Sequence, residues 1–244
     1  MKRIFRYFWV IACFTLFITC NHDNDDAKPE AENEKTEQSG KLITRYFVPG
    51  QYNEYWKYDN DQKLVEIKNG KVTTTFTYDE KNRVVSAKRF TDTIHVSQTY
   101  QFEYAPGEVV MTYKSGLKVK YTLNSEGQPI KKFTKVGDRD FVFDSEYVYQ
   151  NGNIVKIISQ FWDTTEFSYD NNKNVLSDYP LGVKLIGFDR YMNGLGYVSK
   201  NNIVSRTVYA NGNFIFDESY NLTYNKNGYL TKIQNMFEYH TFTY

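Results

Sequence analysis

The stretch Tyr220–Ile233, YNLTYNKNGYLTKI, joins two short alternating runs across a polar turn. The first run ends at Tyr224, Asn225 to Gly228 supply the turn, and Leu230 opens a second run to Ile233, the pattern of a β-hairpin. The same six-residue step from tyrosine to aliphatic recurs from Tyr58 to Leu64, from Tyr78 to Val84 and from Tyr169 to Val175. The recurrence predicts an architecture of hairpin units. Each unit carries too little apolar surface to fold alone, so neighbours must stack or the sheet must curl until its faces meet.

Outward from these units the chain reads as one strand after another. Leu42–Val48 is expected to form the first, closed by Pro49-Gly50. Asn69-Gly70 lies between Leu64–Ile67 and Val72–Tyr78 and signals a type I′ turn, because both residues tolerate positive backbone angles. Further strands are expected at Val84–Phe90, His95–Tyr104, Val109–Tyr113, Leu117–Leu123, Ile130–Val136, Phe141–Tyr149, Ile154–Phe161 and Thr164–Tyr169. Ile203–Tyr209, a long strand Phe214–Tyr224, Leu230–Ile233 and Tyr239–Tyr244 complete the series. Without helical crossovers the fold class is all-β, a curved or rolled antiparallel meander. The pattern breaks at Leu176, and a glycine-rich excursion near 180–202 interrupts it. That excursion reads either as a structural cap, with a short helix around Leu185–Met192 or a loop plugging the end of the rolled sheet, or as a recognition loop.

Composition agrees with sheet. The 244 residues include 22 tyrosines and 18 phenylalanines, and large rings suit half-buried strands, where they cover cross-strand neighbours. Sugar stacking is the functional alternative for such rings. The candidate binding residues are Tyr52, Tyr55, Trp56 and Tyr58, with Tyr191 and Tyr197 in the excursion. The formal charge is +1, and no basic strip interleaved with aromatics exists, so nucleic acid is not an expected partner.

The amino terminus carries an address. Lys2, Arg3 and Arg6 precede an apolar run from Tyr7 to Ile18, too short to span a membrane and suited to a signal peptide over residues 1–19. Its removal would take the formal charge from +1 to −2. From Asn21 to about Gly40 seven acids face Lys28 and Lys35 with no hydrophobic periodicity, so residues 20–40 are expected to form a disordered acidic tether. The folded domain is expected over residues 41–244.

Resemblances to known sequences sharpen this. Leu16-Phe17-Ile18-Thr19-Cys20 resembles a bacterial lipoprotein signal, which implies lipidation of Cys20 and a membrane partner through that anchor; Phe17 and Thr19 depart from its most usual residues. Acidic residues directly after Cys20 resemble the export signal of Bacteroidetes-type surface lipoproteins, which implies an outer-membrane protein at the cell surface, with a periplasm-facing orientation as the alternative. Tyr58-Asp59…Leu64-Val65, Tyr78-Asp79…Arg83-Val84 and Tyr169-Asp170…Val175-Leu176 resemble YD/Rhs-type β repeats. Together with the signal, tether and glycine-rich interruption, the chain resembles a Bacteroides surface lipoprotein family with degenerate YD/Rhs-like repeats across most of residues 50–244. Tyr104 lacks the following aspartate, and Tyr121 lacks the turn-and-leucine spacing. The resemblance implies a curved β scaffold at the cell envelope and supplies no catalytic residues.

Chemistry is sparse along the chain. His22, His95 and His240 are scattered, and once Cys20 is acylated and Cys13 leaves with the signal no thiol remains, so neither a metal nor a cofactor is expected. No GxSxG elbow, GxGxxG or phosphate loop is present. Asp59/Asp61, Asp79/Glu80 and Asp163/Glu166 are the acid pairs a glycosidase would require the fold to assemble, although most sit where a turn can use them. The expected function is a non-enzymatic binding module for a glycan, peptide or envelope protein. A structural or assembly component is the alternative, and a glycan-active enzyme ranks below both.

Overall fold

The computed structural model describes residues 42–92, 96–160, 164–190 and 198–244. Among them the strands are β1 (Arg45–Val48), β2 (Tyr52–Tyr58), β3 (Leu64–Asn69), β4 (Val72–Tyr78), β5 (Val84–Thr91), β6 (Val96–Ala105), β7 (Glu108–Tyr113), β8 (Lys118–Leu123) and β9 (Pro129–Lys135). They continue as β10 (Val142–Gln150), β11 (Asn153–Ser159), β12 (Thr164–Lys173), β13 (Asn201–Ala210), β14 (Asn213–Ser219), β15 (Asn221–Tyr224), β16 (Leu230–Gln234) and β17 (Tyr239–Thr243). Between β12 and β13 lie a 3₁₀ turn, Val175–Asp178, and helix α1 (Leu181–Arg190).

From β1 to β14 every strand pairs antiparallel with the next, so the meander is one continuous sheet of local hairpins. The single long strand expected at Phe214–Tyr224 is split at Tyr220, whose N–H donates to the Val204 carbonyl at 2.9 Å. Its first half, β14, pairs with β13; its second half, β15, pairs with β16. β17 then lies between β16 and β1, with Arg45 opposite Thr243. The two ends of the folded chain thereby seal the sheet into a largely closed antiparallel barrel.

Alternation decides what the barrel contains. Trp56, Phe76, Tyr100, Phe102, Met111, Tyr121 and Tyr147 point inward and are buried, while Lys57, Thr75, Thr77, Gln101 and Glu103 on the intervening positions are exposed. The core is therefore the lumen.

The repeat seen in the sequence has a defined physical form. Asp59, Asp79, Asn124 and Asn225 each use a side-chain oxygen to accept backbone N–H groups two and four residues on, at 2.8–3.0 Å. Gln62, Asn82, Gly127 and Gly228, three residues after these caps, hold the positive φ that lets the chain reverse. After each turn Leu64, Val84, Pro129 and Leu230 pair back with Tyr58, Tyr78, Leu123 and Tyr224, each preceded by a register shift. Leu123-Asn124…Pro129 is thus a full unit in which leucine and asparagine replace tyrosine and aspartate. At Asn69-Gly70 the expected type I′ geometry is absent, because only Gly70 has positive φ and the central pair is Gly70-Lys71. The two-positive-angle turn occurs instead at Asn151-Gly152 and Asn211-Gly212.

The tyrosines that end these strands reach back to the preceding unit. Tyr58 Oη donates to the Ile43 carbonyl at 2.8 Å, Tyr78 to Leu64 at 2.7 Å, Tyr104 to Val84 at 2.9 Å, Tyr169 to Ile154 at 2.6 Å and Tyr244 to Leu230 at 2.8 Å. Each carbonyl belongs to an aliphatic residue at the start of a neighbouring strand, the first residue for Leu64, Val84 and Leu230 and the second for Ile154, or just before it for Ile43. Burial pushes the Tyr104 and Tyr169 hydroxyls up to about 12 and raises those of Tyr58, Tyr78 and Tyr244 further, so all stay protonated donors at neutral pH.

Tyr78→Phe removes one such bond, keeps the ring and strands the Leu64 carbonyl in the core. The expected loss is about 1–3 kcal/mol in urea unfolding, with an unchanged slope; an unaltered midpoint would show that the hydroxyl contributes nothing.

Candidate functional site

The excursion is built from the ends of β12 and β13, where Lys173 pairs with Asn201. Asn174 caps the 3₁₀ turn by accepting the Leu176 N–H at 3.0 Å, and its amide donates to the Ser199 carbonyl at 3.3 Å. Tyr179 then enters the barrel mouth. Its ring meets Trp56 edge-on, with centroids 5.4 Å apart, and its hydroxyl lies 2.6 Å from that of Tyr58. Pro180 precedes α1, whose Val183, Leu185 and Ile186 are buried in the same core as Trp56, Val84 and Ile154. The described part of the excursion is therefore a plug, the capping reading. The expected helix at Leu185–Met192 begins earlier, at Leu181, because proline is favoured where a helix starts.

Close approach constrains the plug. A Cβ on Gly182 would lie 2.7 Å from Val84 Cβ and 3.1 Å from the Tyr104 hydroxyl, so α1 can seat on β5 only with glycine there.

Strand alternation divides the aromatic candidates. Trp56, 6% exposed, belongs to the core, and the Tyr58 hydroxyl is taken by Ile43 and Tyr179. Tyr55, 51% exposed, faces outward beneath the Arg45 guanidinium. Hence Tyr55, Trp56 and Tyr58 do not present one stacking surface. Tyr52 lies in β2, with its side chain outside what is described; Tyr191 and Tyr197, like Cys20, His95 and Asp163, lie outside the described residues.

The acids have structural partners. Asp59 caps its turn; Asp79 caps its own and pairs with Arg83 at 2.6 Å, and the hydrogen bond from the Arg83 backbone N–H, followed by that from its side chain, holds the Asp79 carboxyl below the usual range; Glu166 pairs with Lys156 at 3.1 Å. Asp170 accepts from the Tyr224 hydroxyl and from the Asn202 N–H. His240 joins Tyr46 at 2.6 Å and Glu238 at 3.2 Å. Among the described residues no group of three or more His, Cys, Asp or Glu is placed to hold a metal.

Beside the plug is a cleft of about 1100 Å³. Its walls are the Asn124–Pro129 turn, Tyr149 with the Asn151-Gly152 turn, and the excursion from Lys173 to Lys184 and again at Val198–Lys200. Lys173 pairs with Asp178 at 2.6 Å; Lys184, half-buried, has its ammonium pushed down by burial, an effect that Asp178 opposes and Lys173 reinforces. Sequence reading missed this lysine group because its members are far apart in the chain. The available signal was the match of Leu123–Pro129 to the repeat step, which places that turn at the plugged rim.

A second feature lies on the sheet itself. β14 takes registered partners from β13, and its other edge has none among the described residues. Phe214, Ile215 and Phe216 on it are 59%, 53% and 41% exposed. Phe216 shares a face with Glu218, which pairs through Arg206 with the core-packed Phe167, so Phe216 is uncovered in the inward phase, while the register shift at Val208/Tyr209 puts Phe214 opposite Tyr209 in the other phase. The turn after β16, bonded to β14 through Asn235 and Glu218, leaves Met236 and Phe237 in solvent.

These features define a plugged, largely closed antiparallel β barrel in which the apolar outer edge of β14 has no registered partner among the described residues. No family model and no curated protein matches the chain. Among solved structures it is similar to a porin-like protein from Bacteroides uniformis at 14% identity, over 82% of this chain and 96% of that one, with TM-score 0.40. A porin-like protein from Bacteroides vulgatus matches at 11% identity over 83% and 98%, with TM-score 0.42. The Photorhabdus luminescens Tc holotoxin pore matches at 15% identity over 75% of this chain and 9% of that one, with TM-score 0.34. The architecture itself rests on the strand registers.

Gly182→Ala is expected to overpack the contact between α1 and Val84 and to cost about 1–3 kcal/mol of unfolding free energy, measured by denaturant titration. A neutral result would contradict the seating of α1 described above.

Proposed function

We propose that this protein is a non-catalytic, lipid-anchored component of the outer-membrane surface with a structural or assembly role. The observation that carries the reading is the β14 edge, which has no registered partner strand among the described residues and carries exposed Phe214, Ile215 and Phe216. An apolar edge of this kind templates a further strand, and proteins that do not use such an edge blunt it with charge, proline or a covering element. The occupant we assign is an extended segment of an envelope partner, added to the sheet by strand pairing.

The outward face supports anchoring through Cys20 in preference to insertion of the barrel. A membrane-spanning barrel turns an apolar band to lipid, whereas the outward positions here include Lys57, Thr75, Gln101 and Glu103. Lipidation at Cys20 and display outside the cell follow from the resemblance of the amino-terminal segment to lipoprotein signals, and stable anchoring needs more than one acyl chain. The similarity to porin-like proteins from Bacteroides is compatible with an envelope location.

The experiment is chemical cross-linking in cells followed by membrane fractionation. Wild-type chain is expected in the membrane fraction with a cross-linked partner, Cys20→Ser to leave that fraction, and Ile215→Lys to stay in it without the partner. Unchanged cross-links in Ile215→Lys would overturn the assembly role, and membrane retention of Cys20→Ser would overturn the anchor.

A further inference from the structure

From the lysine-lined cleft at the plugged rim we infer a binding site for an acidic carbohydrate, a short oligosaccharide bearing carboxylates. The site is separate from the β14 edge, and neither reading depends on the other.

Charge comes first. Three lysines and two acids, Glu126 and Asp178, line the cleft. Lys173 and Asp178 pair at 2.6 Å and Asp178 also acts on Lys184, so among the described lining residues three lysines face two acids and the wall carries an excess of positive charge. Lys184 is half-buried near the start of α1; its backbone N–H donates to the Pro180 carbonyl at 3.2 Å, and its ammonium makes no hydrogen bond or ion pair among the described residues. Its ammonium is held between the plug and the rim, where part of its hydration is lost. An anion entering the cleft recovers that loss as a charge-assisted hydrogen bond.

Lys200, also on the cleft wall, has an organised stem. Its N–H donates to the Gly152 carbonyl at 3.0 Å, and a Cβ on Gly152 would lie 3.3 Å from the Lys200 Cβ and Cδ. The Asn151-Gly152 turn therefore fixes the base of this side chain and leaves its charged end exposed.

Size and lining identify the rest of the ligand. About 1100 Å³ exceeds the room that a single small anion needs and matches the upper end of organic-ligand pockets. Asn151 and Gln128 offer amide groups of the kind that pair with hydroxyls, and Pro129, Leu181 and Val198 supply apolar surface for a sugar's C–H face. Among the described residues the lining holds no arginine, so the acid groups of a ligand would meet lysine ammonium groups as point charges, and the phosphate arm of the test separates carboxylate from phosphate. Tyr149, on the same wall, has a buried hydroxyl with no hydrogen-bond partner among the described residues, unlike those of Tyr58, Tyr78 and Tyr104, which reach a neighbouring carbonyl.

The test is isothermal titration calorimetry on the full-chain protein in detergent with trigalacturonate, its fully methyl-esterified form and inorganic phosphate. Trigalacturonate is expected to bind, with at least about tenfold loss for the ester and for Lys184→Met, and retention in Lys184→Arg. Lys200→Met, at an exposed position, is expected to weaken binding as well, which keeps the test valid if Lys184→Met fails to fold. Equal binding of the ester, phosphate matching the trisaccharide, absence of any heat with trigalacturonate, or undiminished binding in a folded Lys184→Met or Lys200→Met would each overturn the proposal.

Discussion

The structure depends on the inability of any one hairpin to bury its own inward face. A single two-stranded unit has one apolar row and no layer to set against it, so the rows become a core only when the sheet curls and its far ends meet. The meeting is made by β1 and β17, which the chain brings together across nearly the whole length of the domain. Between those ends the tyrosine hydroxyls couple each unit to its neighbour. The bond from Tyr78 to the Leu64 carbonyl and that from Tyr244 to the Leu230 carbonyl are the same device in the first and last parts of the barrel. A modest net gain per bond is enough, because each also removes a buried polar group that would otherwise be unsatisfied.

Closure creates a second problem, an open mouth, and the excursion between β12 and β13 answers it. Tyr179 and α1 fill the end where the repeat tyrosines converge, and Gly182 allows the helix to sit against Val84. Because the plug is fastened to the rim at particular turns, it leaves the lysine cleft beside the Asn124 and Asn151 turns. The opposite irregularity occurs at Tyr220, where one strand changes partner from β13 to β16 and the outer edge of β14 has no registered partner among the described residues. Two places of interest thus arise from two departures from the repeat.

Much of this was legible in the residues. Alternating runs, the six-residue step and Asn/Gly turns sufficed for an all-β antiparallel meander, and the excursion was visible as lost alternation with glycine enrichment. Asp59 and Asp79 were readable as turn residues because an aspartate before a reversal has backbone N–H groups within reach. Other features needed coordinates. Tyr55, Trp56 and Tyr58 looked like a cluster because their neighbours in sequence are aromatic, yet they form a strand and alternation sends Tyr55 outward and Trp56 inward. Leu123-Asn124 was hidden because the unit keeps its geometry while replacing the residues that mark it. Lys173, Lys184 and Lys200 gain meaning only through the packing of α1 and the rim, a long-range outcome that no local pattern encodes.

The most direct test of the central claim is native-state hydrogen exchange across the barrel. Closure as the source of the core requires the amides of β1 and β17 to open with the same free energy as those of β4 to β7, in one cooperative unit. Exchange in which the β1–β17 seam opens well before the middle strands, while those remain protected, would show that the units hold without closure and would contradict the account.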